Sequence, residues 1–104
     1  MNQLDKRIFD LMDMLMSYGE IRFKVDFCRS VGMYPQVLNQ IASGRNHFTL
    51  EQVNSICKVY NVNANWILGT EDNVFTKDSS VQIVYKDGEK SVLRRLQAPV
   101  LAVK

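Results

Sequence analysis

The chain of 104 residues is 46% apolar and 23% charged, with a formal net charge of +2. Such a composition supports one modest core with a short appendage and excludes wholesale disorder, while so small a charge does not by itself announce a nucleic-acid partner. No apolar run is long enough to span a bilayer, and the start Met1-Asn2-Gln3-Leu4-Asp5 has no basic stretch followed by an apolar one, so the expectation is a cytoplasmic location with no membrane partner.

Leu4, Ile8, Leu11, Met12, Leu15 and Met16 recur at three- and four-residue steps, with Asp5, Lys6, Asp10 and Asp13 between them. This periodicity predicts an amphipathic first helix ending near Ser17, with Gly19 as its stop. A short second helix is predicted over residues 24–31, with Val25, Phe27, Cys28 and Val31 as its apolar positions and Gly32 at its end. Pro35 suits the first turn of a third helix, residues 35–43, where a missing N–H costs nothing. Val37, Leu38 and Ile41 form the buried side of that helix, and Gly44 stops it. Thr49, followed by Gln52, provides a capping box for a fourth helix with apolar positions Val53, Ile56, Cys57, Val59 and Tyr60. Asn63 caps a last short helix carrying Trp66, Ile67 and Leu68, ended by Gly69.

The composition then changes. Residues 71–80 are polar and read as a linker. Val81-Gln82-Ile83-Val84-Tyr85 is rich in β-branched residues and predicts a strand. Asp87-Gly88 is a strong hairpin-turn signal, and Ser91-Val92-Leu93 predicts the returning strand. The stretch from Ala98 to Val103 reads as a third extended piece, and Pro99 argues against a central strand there. The expected fold is therefore mostly α: five helices over residues 1–70, a linker over 71–80, and a β-hairpin tail over 81–104. A turn at Asp87-Gly88 sets Ile83 opposite Val92 and Tyr85 opposite Lys90. The helices are expected to close their own core. The apolar side of the tail, with Val81, Ile83, Tyr85 and Val92, is then expected to find cover on a second copy of the chain; the alternatives are that the tail folds back on its own domain or is disordered, or that Arg94 and Arg95 contact phosphates.

Residues 24–43 satisfy the packing demands of a helix-turn-helix. The second helix must cross the first closely, which favours the small Cys28 at the crossing. Four residues later, Gly32 tolerates the left-handed backbone that the turn needs. Leu38 and Ile41 anchor the second helix, and Phe27 and Val31 complete the buried set. Basic residues outnumber acidic ones around this segment: Arg22, Lys24, Arg29 and Arg45 against Glu20 and Asp26.

Longer phrases add to this. Phe27-Cys28-Arg29-Ser30-Val31-Gly32, the run Gln36, Leu38, Ile41, Gly44-Arg45, and then Leu50-Glu51, Ile56 and Tyr60-Asn61-Val62-Asn63 resemble the lambda-repressor-like, XRE-type family. Prophage repressors of that family often close the domain with an Asn-x-x-Trp-Leu-Leu-Thr-Gly phrase, which Asn63-Ala64-Asn65-Trp66-Ile67-Leu68-Gly69-Thr70 resembles with Gly and Thr exchanged. The resemblance covers roughly residues 3–75. It implies a five-helix lambda-repressor-like DNA-binding domain, usually a dimer on a palindromic operator. Three places depart from the family's habit. Phe23 stands where a polar cap is frequent, Tyr34-Pro35 replaces a small hydroxyl residue and its neighbour, and Ala42 replaces a frequent glutamate.

The third helix presents Tyr34, Gln36, Asn39, Gln40 and Ser43 opposite Leu38 and Ile41, which makes them the candidates for base contact. Amides can pair with the adenine edge through one donor and one acceptor, and Tyr34 can meet a thymine methyl or a phosphate. Arg22, Lys24, Arg45, Asn46 and His47 flank the helix as candidates for phosphate contact. The expected partners are double-stranded DNA and a second copy of the chain. An alternative is an antitoxin-like module that binds a partner protein and meets DNA only as a complex, since no Arg or Lys lies between Tyr34 and Gly44.

Enzymatic function is not expected. There is no Gly-rich phosphate loop and no paired nucleophile and base. Two cysteines and the single His47 are too few for a zinc site, so no metal or cofactor is expected, and Cys28 and Cys57 read as reduced core thiols.

Overall fold

The computed structural model describes residues 1–79, 81–86 and 89–95, and its architecture is mostly helical. Helix α1 (Gln3–Ser17) begins where the Asn2 side chain accepts the Asp5 N–H at 2.8 Å. Helix α2 (Lys24–Val31) ends at Gly32, which adopts φ 74° and ψ 34° and lets Met33 N–H return to the Cys28 carbonyl at 2.9 Å. An added Cβ at Gly32 would meet nothing within 4 Å, so glycine is wanted there for its backbone and not for space. Helix α3 (Pro35–Ala42) starts after the short connection Gly32-Met33-Tyr34, with Pro35 in its first turn. Helix α4 (Leu50–Tyr60) is capped in both directions: Gln52 N–H donates to Thr49 Oγ1 at 3.1 Å, and Thr49 N–H donates to Gln52 Oε1 at 2.9 Å. Helix α5 (Ala64–Leu68) is capped by the Asn63 side chain, which accepts the Asn65 N–H at 3.1 Å.

One core joins these helices. Ile8, Leu11, Met12 and Leu15 of α1 meet Phe27 and Cys28 of α2, Leu38 and Ile41 of α3, Val53 and Ile56 of α4, and Trp66 and Ile67 of α5. Phe27 stacks on Tyr60 with ring centroids 5.6 Å apart, and the Tyr60 hydroxyl bonds to Ser30, tying α2 to α4. Val25, Val59 and Leu68, expected at apolar positions, are exposed. Each lies out of phase with the inward residues of its short helix, and single exposed apolar side chains carry little cost.

The chain beyond α5 continues into this core. Val74 is fully buried and Phe75 nearly so, although both lie in the stretch expected to be a polar linker. Their backbone is held on both sides: Asn63 N–H donates to Val74 O, Thr76 N–H to Asn61 O, and Val74 N–H to Ile83 O. Strand β1 (Val81–Lys86) pairs antiparallel with β2 (Glu89–Arg95), with Ile83 opposite Val92, Tyr85 opposite Lys90, and an irregularity between Gln82 and Ile83. Residues 87 and 88, expected to turn, and the extended piece expected over 98–103 lie outside the described residues.

Strand β1 lies against its own helices. Ile83 is 0% exposed, the Trp66 indole N–H donates to the Tyr85 carbonyl at 3.1 Å, and the two rings meet edge to face. Burial raises the Tyr85 phenol above its ordinary value, and the carboxylates of Asp10, which accepts its hydroxyl, and of Asp13 add to the rise. The expectation that five helices close their own core is thus corrected. Trp66 and Ile67 leave a gap that Val74, Phe75 and Ile83 fill, because α5 is only five residues long and covers little surface. Among the described residues, no helix is long and apolar enough to cross a membrane.

Candidate nucleic-acid interface

Helix α3 divides cleanly into an inner and an outer side. Leu38 and Ile41 are buried, whereas Gln36, Asn39 and Gln40 are exposed. Positions three and four apart share a helix face, so these three amides and Ser43, just past the helix end, align on one outward stripe. Tyr34 sits at the N-cap position and is 75% exposed. Beneath the stripe, α2 supports α3 through the buried Phe27, Cys28 and Val31.

The loop after α3 is tied back to it. Ser43 is the C-cap residue, not a member of the helix. Its hydroxyl donates to the Gln40 carbonyl at 3.0 Å and accepts the Arg45 Nε–H, also at 3.0 Å. One hydroxyl has one proton, so Ser43 has no donor left for a base edge. In this arrangement Ser43 links the end of α3 to Arg45. The Asn46 amide donates to Gln40 Oε1 at 3.4 Å, and its own oxygen accepts the His47 N–H at 2.9 Å. Arg45 and Asn46 thus stand beside the C-terminal end of the stripe, held by bonds to Ser43 and Gln40.

His47 anchors this loop to α1. Its Nδ1 lies 2.6 Å from Asp5 Oδ2, and Phe48 N–H donates to Asp5 Oδ1 at 3.1 Å. A carboxylate can only accept, so Nδ1 carries the proton in this pair, and the Asn2 amide 3.4 Å away is a neighbour and not a second donor. Asp5 is the one charged side chain buried outright among the described residues. It was expected among the polar positions of α1. A signal for its burial was present: Asp5 precedes Ile8, Met12 and Leu15 on the same helical face.

Arg22 and Lys24 form a separate group at the start of α2. Both are exposed, and Lys24 Nζ lies over the Phe9 ring, 5.8 Å from its centroid. Phe23 occupies the N-cap position, 60% exposed, and has no side-chain acceptor to offer. Asp26 reaches back instead, accepting from Phe23 N–H at 2.8 Å and Arg22 N–H at 3.2 Å. A carboxylate therefore already occupies the anion-favouring end of α2, which composition alone did not reveal. Burial pushes the Cys28 and Cys57 thiols upward, and a backbone hydrogen bond only partly offsets this at Cys28.

Comparison with protein-family models finds no match, and neither does comparison with curated proteins or with solved structures.

Proposed function

We propose that this chain is a sequence-specific double-stranded DNA-binding transcriptional regulator of the prophage-repressor type, built on a lambda-repressor-like five-helix domain. The observation that carries this reading is the outward stripe of α3. Its amides are exposed, its inner side is locked by Leu38 and Ile41, and Arg45 and Asn46 flank one end. Helix α3 enters the major groove, Gln36, Asn39 and Gln40 face base edges, and Arg22, Lys24, Arg45 and Asn46 hold phosphates. His47 orients the loop more than it contacts DNA, since Nδ1 is committed to Asp5. The protein works in the cytoplasm without a cofactor and performs no catalysis.

One short helix reads only a few base pairs, so a homodimer on two half-sites about 34 Å apart is the working form. Two linked heads combine their affinities. The rival reading is a module that meets DNA only together with a protein partner. Selection from a random duplex library with the isolated protein separates the two. Repressor function predicts an enriched, two-fold repeated site whose affinity falls steeply with salt, the slope of log K on log salt steepening by about 0.9 for each phosphate contact. No enriched site, with an affinity for plain duplex that barely responds to salt, overturns the reading.

A further inference from the structure

Resting on the reading of α3 as the element that enters the groove, we propose that the β-hairpin is a second DNA-contacting element, whose Lys90, Arg94 and Arg95 on β2 hold backbone phosphates of the duplex that α3 reads. The chemistry recognised is the phosphodiester, taken without regard to base.

The charge of the chain is divided unequally. Residues 1–80 hold eight basic and nine acidic residues, a net −1, whereas residues 81–104 hold five and two, a net +3. No Arg or Lys lies between Tyr34 and Gly44, so the electrostatic part of the affinity has to come from elements other than α3. The part of the chain that carries α3 is slightly acidic as a whole, and the surplus of positive charge that a polyanion attracts belongs to the tail. Strand register shows which of these charges has a counter-charge. Lys86 stands opposite Glu89, whereas Lys90, Arg94 and Arg95 stand opposite Tyr85, Gln82 and Val81. Register thus gives Glu89 a cation across the ladder and gives the three cations of β2 no acidic residue.

The hairpin is also held in a fixed place. Ile83 is buried in the helical core, Val74 N–H donates to the Ile83 carbonyl at 2.9 Å, and Tyr85 N–H donates to the Asp72 carbonyl at 3.0 Å. The Tyr85 hydroxyl meets Asp10 of α1, the same helix whose Asp5 holds His47 and Phe48 of the loop after α3. Five helical residues separate these two attachments, about 7.5 Å along the axis. The hairpin and the loop that carries Arg45 and Asn46 are therefore anchored on one helix. From Lys90 to Arg95 the strand runs about 16 Å, which matches roughly five phosphates along one DNA strand.

The test uses the full chain and the duplex selected with it. Arg94→Gln/Arg95→Gln should weaken matched and mismatched duplexes alike and make the slope of log K on log salt shallower by about 1.8, two contacts at about 0.9 each. Lys90→Gln should remove about 0.9 by itself. The base preference of both variants should stay that of the parent, which also shows that they are folded. Arg94→Lys/Arg95→Lys keeps the charges and should hold the slope. Lys58→Gln, at an exposed position on α4, should leave it unchanged. Ethylation of single phosphates should block the parent at some positions to which Arg94→Gln/Arg95→Gln has become indifferent. An unchanged slope in the glutamine variants, an equal drop per charge for Lys58→Gln, a changed base preference, or the same ethylation pattern for variant and parent overturns the inference and leaves the reading of α3 standing. If the parent enriches no duplex site, the DNA-binding reading fails and this inference falls with it.

Discussion

Gln40 and Arg45 are joined through Ser43 and Asn46, yet they are assigned different work. Removing the Gln40 amide deletes an interaction that only one base pair can supply. Gln40→Ala should cost ~1–3 kcal/mol on the best site and relax preference at one position. Removing a guanidinium that faces phosphate affects every sequence alike. Arg45→Ala should weaken all duplexes similarly and make the salt slope shallower by about 0.9. Competition binding against single-base variants of the selected site, for both mutants, checks the pair; a motif unchanged by Gln40→Ala or altered by Arg45→Ala reverses the assignment. At this scale the exposed amides of α3 were legible from helix phase, because Leu38 and Ile41 define the opposite side. Asp5 and Ser43 were less so. The burial of Asp5 depends on His47 and Phe48 arriving from some forty residues away. The occupation of Ser43 depends on where the Arg45 side chain folds, which no periodicity reports.

The elements themselves are set by local chemistry, and the sequence reads them well. Gly32, Gly44 and Gly69 all adopt positive φ beside helix ends, and Thr49 with Gln52 forms the cap its spacing implies. The link between elements is harder to read, and the α1 tether to the α3–α4 loop is the case in point. Asp5 accepts from both His47 Nδ1 and Phe48 N–H. Asp5→Ala leaves the buried Phe48 N–H without a partner, at a cost of about 1–3 kcal/mol. His47 is mostly exposed, so its lost hydrogen bond to Asp5 adds little. Urea unfolding should show that loss, and Asp5→Asn should recover part of it, since an amide oxygen still accepts from Phe48. An Asp5→Ala chain as stable as the parent would show that the tether contributes nothing. The loop carrying Arg45 and Asn46 should also loosen, so duplex affinity should fall alike for matched and mismatched sites.

Across the whole molecule, the segment after α5 matters for the core. Linker composition hides Val74 and Phe75 because polar neighbours dominate the window, and only the tertiary structure shows that Trp66 and Ile67 need them. Truncation after Thr76 removes Ile83, which is fully buried, and leaves the Trp66 indole N–H without the Tyr85 carbonyl. Losing one large core side chain alone costs about 2–5 kcal/mol. The truncated chain should therefore unfold at clearly lower temperature, with Ile83→Ala in the full chain reproducing much of the drop. Equal melting temperatures for the truncated and full chains would mean that the helices are self-sufficient. Ile83 already has cover within its own chain, so the proposed homodimer would have to form without it.

The proposed groove-reading role of α3 can be tested directly by backbone amide chemical-shift mapping while the selected duplex is titrated into the labelled full chain. Resonances of Tyr34, Gln36, Asn39, Gln40, Arg45 and Asn46 should move together and most strongly, with smaller shifts at Arg22 and Lys24 and little change in α5 and β1. A map centred on α5 and β1, with the outward stripe of α3 unmoved at saturation, would contradict that role.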